Sequence, residues 1–266
     1  MAGSTRLAAT AAAIDASYQA GDVADPLTLG RMRDQLCSSG LAVFNGTHDA
    51  EAMVTLAGRL MRVTAHPDSD DRGVTTITAL SAASERPNAG GFSRRELLAH
   101  TDGSGVPTPP ALMMLACVLQ APVGGATRLA DGLAVYADLA VSCPASLQAL
   151  SRAQSVLYGG PGGHLGAVFT PAPSLGPDRV AIRLRLDELG FFSPDVARWI
   201  PQLEAAIERQ TITTTLLPGQ GLILDNYRWL HARDTFEGAR RLYRLLGSPL
   251  PDLSMRPGIP VEQVGV

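Results

Sequence analysis

The sequence contains no lysine, and all 22 residues counted as Lys+Arg are arginine. This absence excludes the Walker P-loop, whose lysine holds phosphate, and it excludes enzymes that form a Schiff base through lysine. Any anionic substrate is therefore expected to be held by arginine. The planar guanidinium group of arginine favours bidentate recognition of a carboxylate.

Cysteine is scarce as well. Cys37, Cys117 and Cys143 lie far apart in the sequence and form no C-x-x-C pair. Neither a structural zinc site nor a disulfide framework is therefore indicated. Such low use of cysteine is typical of the reducing cytoplasm, which is the compartment that we expect.

Long apolar runs and an excess of positive charge are also missing. No run approaches the ~20 residues of a membrane-spanning helix, and the net charge is -3. We therefore expect neither a membrane nor a nucleic acid as a partner. The 266 residues are 45% hydrophobic and show no internal repeat or linker, which predicts a single domain over residues 1–266.

The hydrophobic pattern changes along the chain. The predicted helices cover 5–20, 26–37, 49–62 and 193–210, the last with Ser193 as its N-cap, and a first strand covers 40–46. Short apolar runs predict further strands at 74–80, 111–119, 126–131, 153–158, 179–186, 211–217, 221–226 and 240–246. Many strands among few helices favour a mixed α/β fold with a mainly β core of the closed or double-sheet type.

A histidine and an acid two positions apart, His100 and Asp102, stand between an apolar run and a Gly/Pro-rich turn. In an extended chain, residues i and i+2 point the same way, so both side chains can reach one ion. The motif is weak by itself, because a hydrogen-bonded pair at a strand end gives the same pattern.

A second histidine, His231, lies between two predicted strands. Arg240 and Arg244 follow it in the second of these strands and share one of its faces, whereas Arg241 points the other way. Two arginines on one face of an otherwise apolar strand are costly to bury without anionic partners.

Two neutral imidazoles and one carboxylate make up the facial triad of non-haem Fe(II) enzymes, which leaves coordination positions open for a co-substrate and oxygen. A nearby arginine that binds a second carboxylate completes a 2-oxoglutarate site. The candidate iron ligands are therefore His100, Asp102 and His231.

The segments that carry these residues resemble the Fe(II)/2-oxoglutarate-dependent oxygenases of the taurine dioxygenase type, including the clavaminate synthase-like amino-acid hydroxylases. The likeness begins at "LCSSGLAVFNG" and is strongest at "LLAHTDGSGVPTPPALMMLACVLQAPVGGATRLADG" and "PGQGLILDNYRWLHARDTFEGARRLYRLLGSP". The family pattern is His-x-Asp/Glu, then a threonine, a distal histidine and an arginine. The resemblance implies a double-stranded β-helix, a cupin-like jelly-roll core with helices packed on its outside.

The resemblance also assigns roles to residues. The positions that match the metal ligands are His100, Asp102 and His231. Thr127 matches a threonine that helps to hold the distal carboxylate of 2-oxoglutarate, and Arg240 matches the arginine that pairs with that carboxylate. Arg244 matches a second arginine that often faces the primary substrate. Because the interval from His231 to Arg240 is shorter than in the family, Arg241 remains a competing candidate.

An activity follows from the resemblance. Members use Fe(II), 2-oxoglutarate and O2 to oxidise an unactivated C–H bond, and they release succinate and CO2. Asp102 retains the carboxylate that related halogenases replace by Gly or Ala, so chlorination is not expected. We expect hydroxylation of a free amino acid or a small natural-product intermediate, with desaturation or cyclisation as alternatives.

Contacts with the substrate are predicted at three positions. Arg244 indicates a carboxylate-bearing small molecule. Arg183 and Asp187 lie in a segment that borders the substrate in related hydroxylases, although solvated charges of an edge strand explain them equally. The loop 81–97 is predicted to form a lid. No chemical role is expected for His48, His66 or His164.

Two other classes remain open at this stage. A cupin-type metalloenzyme that does not use 2-oxoglutarate would need no paired arginines after the last histidine. A non-catalytic binding protein of this fold would be marked by loss of a metal ligand. A homo-oligomer is compatible with either class.

Overall fold

The computed structural model describes residues 10, 14, 23–79, 89–172 and 174–261. Most of the helix predicted at 5–20 and residues 81–88 of the predicted lid lie outside the described residues. The helices are α1 Pro26–Ser39, α2 Ala50–Ala57, α3 Gly132–Ser142, α4 Pro144–Leu150, α5 Pro194–Ala197 and α6 Ile200–Arg209, with a 3-10 helix at Ala89–Phe92. None of the helices in these ranges has the length and apolar character needed to cross a bilayer.

The strands of the described residues pair antiparallel in several sheets. They are β1 Leu41–Thr47, β2 Met61–Thr64, β3 Thr75–Thr78, β4 Leu97–His100, β5 Leu112–Leu119, β6 Val123–Gly124, β7 Thr127–Asp131, β8 Val156–Tyr158, β9 His164–Gly166, β10 Phe169–Pro171, β11 Arg179–Ile182, β12 Gly190–Phe192, β13 Thr211–Thr214, β14 Gly219–Asp225, β15 Trp229–Arg233, β16 Phe236–Glu237, β17 Arg241–Pro249 and β18 Ile259–Pro260.

The largest sheet has six strands in the order β1-β14-β5-β17-β2, with β3 also beside β17. Its two faces are both apolar, as alternation along β14 shows. Ile223 packs with Met32 of α1 and Met53 of α2, whereas Leu222 and Leu224 pack on the opposite face. Burial on both faces explains why the sequence of this sheet reads as continuous apolar runs.

A second sheet of four strands, β13-β7-β15-β4, lies against the inner face of the first. One apolar cluster joins Met113 and Leu242 of the larger sheet to Leu129 and Trp229 of the smaller one. Helices α3 and α6 cover the outer face of the smaller sheet, where Ala130 and Leu230 share a cluster with residues of both helices. The prediction of a mixed α/β fold with a mainly β core is confirmed.

Two predicted helices differ from the structure. The helix predicted at 49–62 ends at Ala57, and residues 61–64 form β2 instead. The helix predicted at 193–210 is divided into α5 and α6, because Pro201 near the start of α6 has no N–H to donate to the preceding turn. Ser193 is the N-cap residue of α5, as predicted. Its side chain makes no capping hydrogen bond, and its backbone carbonyl accepts the N–H groups of residues 196 and 197.

Candidate metal and co-substrate site

The two histidines of the candidate triad are direct neighbours across a pair of strands. His100 is the last residue of β4, and His231 lies opposite it in β15. Their ring centroids are 4.2 Å apart. Residues that are far apart in the sequence are thus brought together by sheet pairing, which fixes their separation.

Asp102 completes the cluster. One ligand atom from each of His100, Asp102 and His231 lies within 4.8 Å of the others. Nε2 of His231 is 3.5 Å from Oδ2 of Asp102, which is the outer limit for a hydrogen bond. Oδ2 is buried and has no hydrogen-bond partner among the described residues, so it is available as a ligand atom.

The protonation of His100 suits metal binding. Its Nδ1 lies 2.8 Å from the carbonyl oxygen of Leu98, an interaction that leaves Nε2 free to act as a ligand. Burial, followed by the neighbouring His231, lowers the pKa of His100 to about 3. The imidazole is therefore neutral near pH 7, which is the form that coordinates a metal.

Asp102 is held as a carboxylate by its surroundings. Burial alone raises its pKa, but the Arg244 guanidinium and His231 together bring the pKa well below its usual range. Nη1 of Arg244 donates to Oδ1 of Asp102 at 2.6 Å. One carboxylate oxygen is thus occupied by arginine while the other faces the histidines.

The donor set fits a ferrous ion. It offers two neutral imidazoles and one carboxylate oxygen, the combination that is typical of non-haem Fe(II) sites with open positions. Its unpartnered, buried carboxylate oxygen would be costly to leave without a cation.

The triad opens into a cavity of about 570 Å³. Thr127, Arg240 and Arg244 line this cavity together with Leu242, whereas Arg241 is exposed. The pairing of β17 with β5 is irregular between Arg241 and Leu242, but the extra residue lies on β5, so alternation along β17 is kept. The geometry therefore favours Arg240 over its neighbour as the residue that meets a ligand in the cavity.

Arg240 reaches the cavity without a carboxylate partner among the described residues. Its guanidinium carbon lies 5.4 Å from the centre of the Phe236 ring, and burial lowers its pKa. Thr127, which is buried, is the first residue of β7 and also lines the cavity.

Arg183 and Asp187 have different surroundings. β11 ends at Ile182, so Arg183 is not in a strand, and its guanidinium does not line the cavity. Instead it donates to the carbonyl oxygens of Ser104, Val106 and Pro107 at 2.7, 2.7 and 3.1 Å. Asp187 does line the cavity, in a bidentate ion pair with Arg185. Substrate contact by either residue stays a prediction.

Sequence reasoning missed several residues of the site. His66 was expected to have no role, yet it lines the cavity, where burial and then Arg244 lower its pKa. Arg233 of β15 also lines the cavity. Asn226 is buried against the backbone of Asp102. The position of Arg233 two residues after His231 is a signal that period-2 reasoning on a strand could have used.

Comparison with known families identifies the chain. The model of the family described as "Taurine catabolism dioxygenase TauD, TfdA family" matches residues 4–247. The chain belongs to this family. The predicted family and the prediction that the protein is a dioxygenase are thus confirmed. A search of curated proteins finds no match to this TauD/TfdA-family chain.

Solved structures show the same fold. A crystal structure of asparagine oxygenase (AsnO) has a TM-score of 0.66 and 20% sequence identity, over 84% of this chain and 78% of that chain. The non-heme iron oxygenase OrfP in complex with Fe and alpha-ketoglutaric acid has a TM-score of 0.61 and 15% identity, over 97% of both chains. PvcB from Pseudomonas aeruginosa has a TM-score of 0.63 and 18% identity, over 85% of this chain and 82% of that chain.

Proposed function

We propose that the protein is an Fe(II)- and 2-oxoglutarate-dependent oxygenase that hydroxylates an unactivated C–H bond of a free amino acid or a small natural-product intermediate. One observation carries this proposal. A His-Asp-His cluster with a buried carboxylate opens into a cavity that also receives the guanidinium of Arg240, which has no carboxylate partner among the described residues. A metal and an anionic co-substrate together would satisfy both groups.

The iron ligands in this proposal are Nε2 of His100, Oδ2 of Asp102 and Nε2 of His231. Bound Fe(II) would supply oxygen activation coupled to oxidative decarboxylation of 2-oxoglutarate, with succinate and CO2 as co-products. Arg244 holds Oδ1 of Asp102 and so orients the carboxylate with its other oxygen toward the histidines.

The co-substrate is assigned to the end of the cavity that Thr127 and Arg240 share. A guanidinium pairs strongly with a carboxylate in a dry site, and a threonine hydroxyl adds a neutral donor. Leu222 and Leu242 form an apolar part of the cavity wall, which excludes water. The charged groups are therefore the contacts that orient the co-substrate.

The primary substrate is assigned to the part of the cavity lined by Arg244 and Asp187. This part presents both signs of charge, which suits a zwitterion such as an amino acid. Among the proteins of similar fold are an asparagine oxygenase in complex with 2S,3S-3-hydroxyasparagine and OrfP in complex with (3S)-hydroxy-L-Arg. We propose that Arg183 acts on the substrate indirectly, because it holds the loop at 104–107, part of which lines the cavity.

Three further features are part of the same proposal. The two main sheets form a double-stranded β-helix, which agrees with their facing arrangement and shared apolar cluster. Residues 1–266 form one domain. The low use of cysteine supports a cytoplasmic location.

The test is substrate-dependent turnover of 2-oxoglutarate. The purified protein is supplied with Fe(II), 2-oxoglutarate and O2, and succinate is measured with each member of a panel of free amino acids. We expect succinate and a singly hydroxylated product with at least one of them, and no product from Asp102→Ala. Absence of both 2-oxoglutarate binding and succinate across the panel would refute the proposal, and oxidation without 2-oxoglutarate would indicate a cupin-type enzyme.

A further inference from the structure

Arg233 is a buried arginine that lines the cavity, and nothing in the proposed function uses it. It lies in β15 two residues after His231, and therefore on the same face of the strand. Only 5% of its surface is exposed, and it lines the cavity. A buried cation on the face that carries a metal ligand calls for a physical explanation.

The hydrogen bonds of Arg233 account for only part of its donors. Its Nη1 donates to the carbonyl oxygen of Gly91 at 3.1 Å, and its Nη2 donates to that of Arg95. A guanidinium has five N–H groups, so three remain after these bonds. Nε is buried and has no hydrogen-bond partner within the described ranges.

The positive charge of Arg233 is likewise not neutralised by a carboxylate of the described residues. No carboxylate of the described residues pairs with Arg233 or with Arg240. The guanidinium carbons of the two arginines lie 5.0 and 5.4 Å from the centre of the same ring, Phe236. Burial, and then Arg240, lower the pKa of Arg233 to about 10, so it is still protonated at pH 7. Two neighbouring buried cations would be stabilised by an anion between or beside them.

Arg233 also connects the part of the cavity near Arg240 to one segment of the cavity wall. We call residues 89–95 the strap; it contains the 3-10 helix, and Gly90, Gly91 and Phe92 of the strap line the cavity. Its backbone carbonyls are the acceptors of the two Arg233 hydrogen bonds. The position of the strap thus depends on the same guanidinium that faces the cavity.

We infer that Arg233 is a further binding residue for the anionic co-substrate, which acts with Arg240 and ties the strap to the occupied site. The inference rests on the proposed function, because 2-oxoglutarate is the anion in question. Its distal carboxylate neutralises the pair of cations, and the guanidinium keeps its bonds to the strap. Occupation of the site then stabilises the strap.

Binding of 2-oxoglutarate to the metal-loaded protein tests this inference. Isothermal titration with Mn(II), which does not support turnover, compares the wild type with Arg233→Gln and with Arg240→Gln. Arg241→Gln is the matched control, since it is the same substitution at an exposed neighbour outside the cavity. We expect Arg233→Gln to weaken 2-oxoglutarate binding about 10- to 100-fold, the loss of one charge-assisted interaction, and to leave Mn(II) affinity unchanged.

Hydrogen exchange gives a second readout, first in the wild-type protein and then in Arg233→Lys. Addition of 2-oxoglutarate should slow amide exchange in residues 89–95. Arg233→Lys, which keeps the charge but loses the planar fork, should retain part of the affinity and lose the added protection.

The outcomes are distinguishable. If Arg240→Gln loses 2-oxoglutarate binding while Arg233→Gln keeps the wild-type affinity, Arg233 only fastens the strap and the inference is wrong. Unchanged exchange of the strap in the wild type on co-substrate addition also overturns it. If the wild type itself does not bind 2-oxoglutarate, the proposed function fails together with this inference.

Discussion

The side chain of Asn226 forms hydrogen bonds with both the N–H and the carbonyl group of Asp102. Its Oδ1 accepts the N–H of Asp102 at 2.8 Å, and its Nδ2 donates to the carbonyl oxygen of Asp102 at 2.9 Å. Nδ2 also donates to the carbonyl oxygen of Pro110 at 2.8 Å. Asn226 is 1% exposed, so these bonds are formed in a dry environment. The backbone of a proposed metal ligand that lies outside any strand is thereby fixed.

We predict that Asn226→Ala weakens metal binding. The substitution leaves the N–H and carbonyl of Asp102 without partners and allows the carboxylate to move, and loss of such supporting bonds typically costs about 10- to 100-fold in metal affinity. Titration with Mn(II) or Co(II) measures the effect. Asn45→Ala is the control, because within the described residues the Asn45 side-chain oxygen accepts only the adjacent Gly46 N–H. Equal affinities for the two variants would show that Asp102 does not need this support.

Arg240 and Arg241 should differ sharply in their effect on 2-oxoglutarate. Arg240 lines the cavity and Arg241 is exposed. We expect Arg240→Gln to raise the KM for 2-oxoglutarate about 10- to 100-fold, as loss of a charge-assisted hydrogen bond implies, and Arg241→Gln to leave it unchanged. Steady-state succinate formation measures both. A larger effect at position 241 would assign the co-substrate to the other arginine.

A buried ion pair supports the turn between β14 and β15. Nε and Nη2 of Arg228 donate to the two oxygens of Asp131 at 2.8 and 2.7 Å, and the side chains are 10% and 15% exposed. Arg228→Ala would leave a buried carboxylate uncompensated, which costs about 3–5 kcal/mol of unfolding free energy.

The matched control for that prediction is the pair Arg152–Asp195, with a 2.7 Å contact and side chains 55% and 64% exposed. Removal of an exposed partner, as in Arg152→Ala, is expected to cost about 1 kcal/mol or less. Urea denaturation of both variants gives the comparison. Similar losses in the two variants would contradict the role assigned to burial.

The burial of Asp225 predicts how the free energy of unfolding depends on pH. It accepts the N–H groups of Gly258 and Tyr227 at 2.7 and 2.9 Å, yet burial raises its pKa to about 7. In the unfolded chain an aspartate has a pKa of about 3.9. The folded state therefore holds an extra proton between about pH 4 and pH 7, so this group lowers the free energy of unfolding as the pH rises through that window.

Urea denaturation at several pH values tests this linkage. The wild type should lose stability across the window relative to Asp225→Asn, which cannot titrate at this position. Parallel curves for the two proteins would show that Asp225 is ionised in the folded state, where Arg228 and Arg179 lie near it.

Part of the site could be predicted from local sequence, and part could not. The pairs His100/Asp102 and Arg240/Arg244 were inferred from the geometry of an extended chain, and all four residues do line one cavity. Asp102 nevertheless lies beyond the end of β4, and Arg240 lies just before β17. The meeting of His100 with His231 depends on pairing between β4 and β15, which no local pattern reveals. The resemblance to a family, rather than periodicity, supplied that link.

In the fold, too, some elements could be predicted from local sequence and others could not. In the large sheet, β1, β5, β14 and β17 could be predicted because their apolar runs are long, whereas the short strand β2 was assigned to a helix. Helix α3 was not, because the apolar residues of "GLAVYADLAVS" occur on most of its sides and give no clear helical period. Arg183 was assigned to a strand face that ends one residue earlier, at Ile182, and no Gly or Pro marks this end. His66 reaches the cavity from a loop, and loop paths are set by tertiary contacts.

β4 has only four residues and forms the outer margin of its sheet, with β15 on one side. An ion shared by His100 and His231 would act as a cross-link between this marginal strand and its neighbour. Chelation should therefore do more than stop turnover: it should release β4 first, so that proteolytic cleavage near residues 97–100 reports the loss of iron before the rest of the protein unfolds.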